Sequence, residues 1–180
     1  MLKIRNALPP DADLISALIQ SLAHLFYASP DGNGAENFMQ AITPQALALY
    51  LVRPDIHYLI AEESGVFCGA AALREHRHLQ HLFVAPAHQR HGIGRQLWQA
   101  VRDAAMAAGN PGEFTVNASL NAVPVYQRFG FEFVGRPQHD NGLIFQPMQL
   151  VDRADATPAL ASQAKNYFAT TRTISRHLFE

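Results

Sequence analysis

Residues 89–95 read Gln89-Arg90-His91-Gly92-Ile93-Gly94-Arg95, two closely spaced glycines among cations. They stand between a short apolar run, 79–86, that stops at Pro86 and reads as a buried strand, and the Ile93, Leu97, Val101, Ala105 spacing of one helical face. Where such a helix begins, its first N–H groups lack intrahelical partners and carry the positive end of the macrodipole, so a phosphate can satisfy them. Gly92 and Gly94 lack a Cβ and let backbone approach a diphosphate closely, while Arg90 and Arg95 add counter-charge. The chemistry these residues suggest is capture of a phosphorylated ligand.

Histidine is the other concentrated resource. His76, His78, His81, His88 and His91 fall within sixteen residues. A His-x-His strand pair can bind zinc, but no cysteine is near and no clean third ligand presents itself, so no metal is expected. His88 and His91 read as polar loop residues beside the phosphate.

Gln89-x-x-Gly92-x-Gly94 resembles the acetyl-CoA signature of the GNAT acyltransferase superfamily, Arg/Gln-x-x-Gly-x-Gly/Ala, and it lies between the required strand and helix. A later block, Asn121-Ala122-Val123-Pro124-Val125-Tyr126-Gln127-Arg128-Phe129-Gly130-Phe131, is similar to the family's later helix and its Gly-Phe strand entry. The resemblance covers roughly residues 1–150. It implies direct transfer of an acetyl group from acetyl-CoA to an amine, with Gln89, Arg90, His91, Gly92, Ile93, Gly94 and Arg95 at the diphosphate. It also implies main-chain N–H groups freed by a bulge near Leu82, Phe83 and Val84 for the thioester and pantetheine.

The family's general acid matches Tyr126. A phenol protonating a thiolate runs uphill by about 2 kcal/mol, tolerable for an aligned donor. The position where histone-type and arylalkylamine-type members place a catalytic Glu or His matches His78. An alkyl ammonium at pH 7 stands about three units, or about 4 kcal/mol, from its neutral form, so a base within reach helps. His78 is therefore the candidate base, with Glu62 and Glu63 as lesser candidates and a surface histidine in the polar run 75–78 as the competing reading. Strand alternation places His78 and Gln80 on one face. Asn117, polar within an apolar strand, is a candidate for the pantetheine arm, and Asn121 is a ligand candidate or a helix cap.

These groups need a scaffold. Residues 2–7 alternate as a first strand closed by Pro9-Pro10, and Asp11 or Asp13 can cap a helix reaching about Tyr27 with Leu14, Leu18, Leu22 and Leu25 on one face. Residues 29–34 form a turn-rich segment expected to be mobile, and Thr43-Pro44 opens a short helix to about Leu51. Strands over 57–62 and 66–73 make a hairpin leading to the central strand. After the helix starting at Gly92, a strand over 114–118 precedes the helix of Tyr126. Strands over 131–134 and 143–150 follow, with a turn at 139–142. The fold class is α/β: a GNAT-like, mixed, mostly antiparallel sheet of about 6–7 strands with about 4 helices. Residues 151–180, rich in Ala, Thr, Ser and Gln, form an extension with a helix over 158–168 or a disordered tail.

At 180 residues, 48% apolar and 16% charged, the chain suits one globular domain, and no apolar run nears a membrane span. No apolar leader opens it, so a cytoplasmic location is expected. Cys68, the only cysteine, reads as a small core residue. A net charge of −1 argues against nucleic acid. The acids crowd residues 1–75 and the bases residues 76–180, which suits a polyanionic co-substrate and a small cationic amine acceptor. A peptide amine, a non-catalytic acyl-CoA-binding module or sensor, and a homodimer stay open.

Overall fold

The structure, a computed structural model, describes residues 1–151; the helix expected over 158–168 lies outside the described residues. Strands β1 (Leu2–Asn6), β2 (Ile56–Glu63), β3 (Val66–Arg74), β4 (His78–Val84), β5 (Glu113–Ala118), β6 (Glu132–Phe133), β7 (Gln138–Asp140) and β8 (Leu143–Val151) form one sheet. The helices are α1 (Ala12–Leu22), α2 (Glu36–Ala41), α3 (Pro44–Leu51), α4 (Ile93–Ala107) and α5 (Val123–Arg128). The sheet runs β1-β2-β3-β4-β5-β8-β6, with β7 on the far half of β8. Every pairing is antiparallel except β4 with β5.

Two apolar layers cover the sheet. On one face Ile93, Leu97, Trp98, Val101 and Ala105 of α4 pack with Leu73, Leu79, Phe114, Val116 and Tyr126 of α5. On the other, Ile15, Leu18, Ile19 and Leu22 of α1 and Leu47 of α3 pack over Tyr58, Ile60, Ala70, Ala72 and Phe83. The alanine run of β3 brings both layers close. Cys68 is fully buried as expected, its thiol donating to Ala61 O at 3.3 Å. Thr43 caps α3 as its sequence requires, its Oγ1 accepting from Ala46 N at 3.3 Å.

Several expectations need correction. Leu14 is 50% exposed, because the buried stripe of α1 runs through Ile15 and Ile19 instead. The chain coils from Pro9 in a 3₁₀ turn, so Asp11 is not a side-chain cap of α1 but accepts from Leu8 N at 2.7 Å and holds Arg5. Residues 29–34 form consecutive turns, Gly32 N–H donating to Ser29 O at 2.9 Å and Ala35 N–H to Gly32 O at 3.1 Å, and the preceding residues are tied to the last hairpin: Ala28 N–H donates to Gly142 O at 2.8 Å and Ile144 N–H to Phe26 O at 2.8 Å. His139 and Asp140 belong to β7, and the turn is Asn141-Gly142, both at positive φ as a two-residue hairpin turn demands. Asn121 does not cap α5; Ala122 takes that place after a Ser119–Ala122 turn. Helix α2 buries no residue fully and so gives no apolar stripe in the sequence; with β7 it brings the described elements to eight strands and five helices. Among the described residues no helix is long and apolar enough to cross a membrane.

Candidate active site

Strands β4 and β5 touch only at His78 opposite Thr115 and Leu79 opposite Val116. Beyond those pairs the two strands part, β4 staying with β3 to Val84 and β5 with β8 to Ala118, and the sheet opens into a V. Antiparallel pairing turns alternate residues of a strand toward its partner. Ala85 N–H donates to Cys68 O at 2.9 Å, so in the register of β3 with β4, Phe83 and His81 face β3. Leu82 and Val84 therefore turn their N–H groups into the gap, where a ligand carbonyl or amide can accept. Of the three residues expected there, Phe83 serves instead as a wall: it is buried against α1, and its carbonyl points at Gly69 of β3.

The chain leaving β4 is held ready for α4. Gln89 Nε2 donates to Val84 O at 3.0 Å. Arg90 and Gly92 adopt left-handed backbone, φ 65° and 80°, and Gly92 is the residue before α4, with Gln96 N–H reaching its carbonyl at 3.1 Å. The N–H groups of Ile93, Gly94 and Arg95 thus precede the first intrahelical donor and point out of the helix end. The Ile93 side chain lies in the core, so only its amide serves a ligand. Gln89, Arg90, His91, Gly92 and Arg95 are exposed around it. His88 turns away to Glu63, Nδ1 to Oε2 at 3.1 Å.

Tyr126, on α5, is 7% exposed and packs on Phe129 and Phe131. Burial drives its phenol well above the usual value, so it stays protonated at neutral pH. Asn117 shares a face with Thr115, opposite Pro147, and makes no side-chain hydrogen bond among the described residues. Asn121 is exposed in the turn before α5.

The other side of the gap is an aromatic wall. Phe26 meets Phe83 with ring centroids 5.9 Å apart, Phe83 meets His81 at 5.8 Å, and His81 meets Tyr50 at 5.9 Å. His81 Nδ1 and the Tyr58 hydroxyl lie 2.9 Å apart. A bulge puts Gln80 out of register, since Leu73 pairs Leu79 while Ala72 pairs His81. Period-two reading therefore fails: His78 shares its face with His81, not with Gln80. His78 sits at the closed foot of the V, 6% exposed, its Nδ1 2.8 Å from Thr115 Oγ1. Burial, with Arg74 and His81 adding to it, lowers its pKa to about 3; burial lowers that of His81 to about 4. Glu62 is engaged by Arg5, Nη2 to Oε1 at 2.7 Å, and Arg5 also holds Asp11 at 2.8 Å. Tyr50, Tyr58, Arg74 and Thr115 carried no signal in the sequence, because only the β3–β4–β5 register brings them beside the histidines.

A bridge closes this wall. Residues 26–28 touch Phe83 at the end of β4 and hydrogen-bond to Gly142 and Ile144, so the α1–α2 segment spans the mouth of the V to the β7–β8 hairpin. A Cβ at Gly142 would lie 2.3 Å from Gly34 C, which explains glycine at the contact.

A family model described as an acetyltransferase (GNAT) domain matches residues 26–151. The chain belongs to the GNAT acetyltransferase family. It is 27% identical to a GCN5-related N-acetyltransferase (Aminotransferase, Class-II) from Rhodopseudomonas palustris, covering 82% of this chain and 93% of that one, with a TM-score of 0.67. The PaiA N-acetyltransferase of Thermoplasma acidophilum, solved with coenzyme A, is 18% identical over 83% of this chain and 98% of that one, with a TM-score of 0.69. YncA, a putative acetyltransferase from Salmonella typhimurium solved with acetyl-CoA, is 22% identical over 88% and 99%, with a TM-score of 0.59. These two share the fold. No curated protein matches the chain.

As a GNAT member the protein is an acetyl-CoA-dependent acyltransferase. Its residues fit that co-substrate: free amides at the head of α4, left-handed Arg90 and Gly92 beside them, and β4 amides turned into a gap that no strand of the described residues fills.

Proposed function

We propose that this GNAT enzyme acetylates the amine of a small molecule, and that the bridge over the acceptor wall sets the size limit. The observation carrying this reading is the hydrogen-bonded contact of residues 26–28 with the β7–β8 hairpin, a tie across the acceptor side that a polypeptide would have to pass and a small amine would not. An ammonium entering beneath it meets the faces of Phe26, Phe83 and His81, while Asp11 and Glu62 pair with Arg5 and Asp55 with Arg53. Aromatic faces attract a small cation without a counter-charge.

In this reading the α4 amides, with Arg90 and Arg95, hold the diphosphate, and Leu82 N–H and Val84 N–H orient the acyl arm. Asn117 holds that arm from β5. Acetyl-CoA supplies the activated acetyl group. Tyr126 Oη gives its proton to the departing sulfur. His78, with Nδ1 committed to Thr115 and a pKa about 3, holds the foot of the V; the amine loses its proton to water before attack.

A thioester-consumption screen tests the reading: turnover on small amines and none on peptide N-termini is expected. Coenzyme A binding without turnover on any amine, the behaviour of a sensor, would contradict it, as would a preference for peptides.

A further inference from the structure

The foot of the acceptor wall is rich in donors and poor in acceptors. Arg74, the last residue of β3, is only 7% exposed. Among the described residues its side chain makes no hydrogen bond and has no carboxylate within ion-pair distance. Its charged and polar neighbours are Tyr50, Asp55 and His78. Asp55 is occupied by Arg53, which donates to both of its oxygens at 3.0 and 2.7 Å. The Tyr50 hydroxyl is buried without a hydrogen-bond partner. Thr115 and Tyr58 take the Nδ1 atoms of His78 and His81, so neither ring offers that nitrogen as an acceptor here. The carboxylate that acts on Arg74, Asp55, is thus shared with Arg53, and the buried Tyr50 hydroxyl lacks an acceptor, a costly arrangement that a single added anion relieves.

We propose that Arg74 and Tyr50 hold a carboxylate group at the foot of the acceptor wall. The planar guanidinium fork matches two carboxylate oxygens, and the Tyr50 hydroxyl donates to one of them. One cation and one phenol balance a monoanion; a phosphate dianion would be left with uncompensated charge.

Two sources supply such a group. One is the acceptor itself, an amine that also carries a carboxylic acid; this source rests on the acetyl-transfer reading above. About 13 Å of strand separates His78 from the Leu82 amide, so the carboxylate then stands several bonds from the reacting nitrogen, as in a side-chain amine of an amino acid. The other is a free small carboxylate, which needs no turnover.

The test uses the full chain saturated with acetyl-CoA. Thermal unfolding is followed in sodium acetate against sodium chloride of equal ionic strength. Acetate should raise the midpoint by a few degrees in the wild type, and Tyr50→Phe, which removes only an unpartnered hydroxyl, should erase most of the rise. Arg74→Gln should do the same if it folds. Equal midpoints in the two salts, or an undiminished rise in Tyr50→Phe, overturns the proposal. The kinetic arm compares lysine with its decarboxylated diamine: a KM at least tenfold lower for lysine, with Tyr50→Phe raising the lysine KM to that of the diamine, assigns the carboxylate to the acceptor. An acetate effect without that preference assigns it to a free ligand. Failure of every amine to react removes the transfer reading alone, because the acetate measurement stands independently.

Discussion

The two sides of β4 are made for binding by different means. Toward α4, the site is backbone: amides of Leu82 and Val84 and of the first turn of α4, exposed because a strand pairing ends and a helix begins. Toward α1, it is side chain: Phe26, Phe83, His81, Tyr58 and Tyr50, held by a bulge and by a bridge between distant segments. Backbone geometry suits a ligand part that is always the same, and a side-chain wall suits one that differs between enzymes. The substitutions below should affect one side and spare the other.

The largest effect is expected at the proposed proton donor. Tyr126→Phe should lower kcat by about 10²-fold or more, while KM for acetyl-CoA stays within a factor of three; steady-state kinetics reads both, and unchanged kcat would exclude the phenol from proton transfer. Next comes a break confined to the acceptor side. Gly142→Val places a side chain where a Cβ alone would meet Gly34 C at 2.3 Å, so the bridge must part. Acceptor KM should rise about tenfold, acetyl-CoA KM should hold, and peptides should gain as acceptors.

The matching break on the other side is milder. Nothing lies within 4 Å of a Cβ at Gly92, so Gly92→Ala suffers only the left-handed φ of 80°, a cost of about 1–2 kcal/mol. Calorimetry should show coenzyme A affinity falling several-fold with the acceptor KM unchanged. Equal effects of Gly92→Ala and Gly142→Val on both substrates would dissolve the distinction between the sides.

That distinction also explains what could be read from the sequence. Glycine spacing, a proline that ends a strand and the apolar stripe of α4 are local signals, and Gly92, Ile93 and the face through Ala105 lie where they pointed. The acceptor wall depends on register. One extra residue at Gln80 moves His81 onto the face of His78, and nothing within 78–84 announces it. The bridge is less visible still: Ser29, Asp31 and Gly32 look like a loose loop until Gly142 is seen beneath Gly34. Leu14 misled because leucine spacing matched a helix whose buried stripe runs through isoleucines.

A separate effect, outside the comparison of substrates, is on stability. Burial depresses His78 to about 3 and His81 to about 4, whereas unfolded histidine titrates near 6.5. As pH falls below about 6.5 the unfolded chain takes up protons that the folded chain refuses, so each histidine costs about 1.4 kcal/mol per pH unit until its folded pKa is reached. Urea midpoints should therefore drop between pH 6.5 and 4.5, and His81→Phe should flatten the drop relative to its own value at pH 7.5. A slope untouched by that substitution would mean His81 is not held neutral.

The central claim is that backbone amides of β4 and α4 hold acetyl-CoA, and amide hydrogen exchange with and without it tests this most directly. Slowed exchange at Leu82, Val84 and residues 93–95, with the amides of 56–61 unchanged, is the expected result. Exchange at Leu82, Val84 and 93–95 that is indifferent to saturating acetyl-CoA would contradict the account.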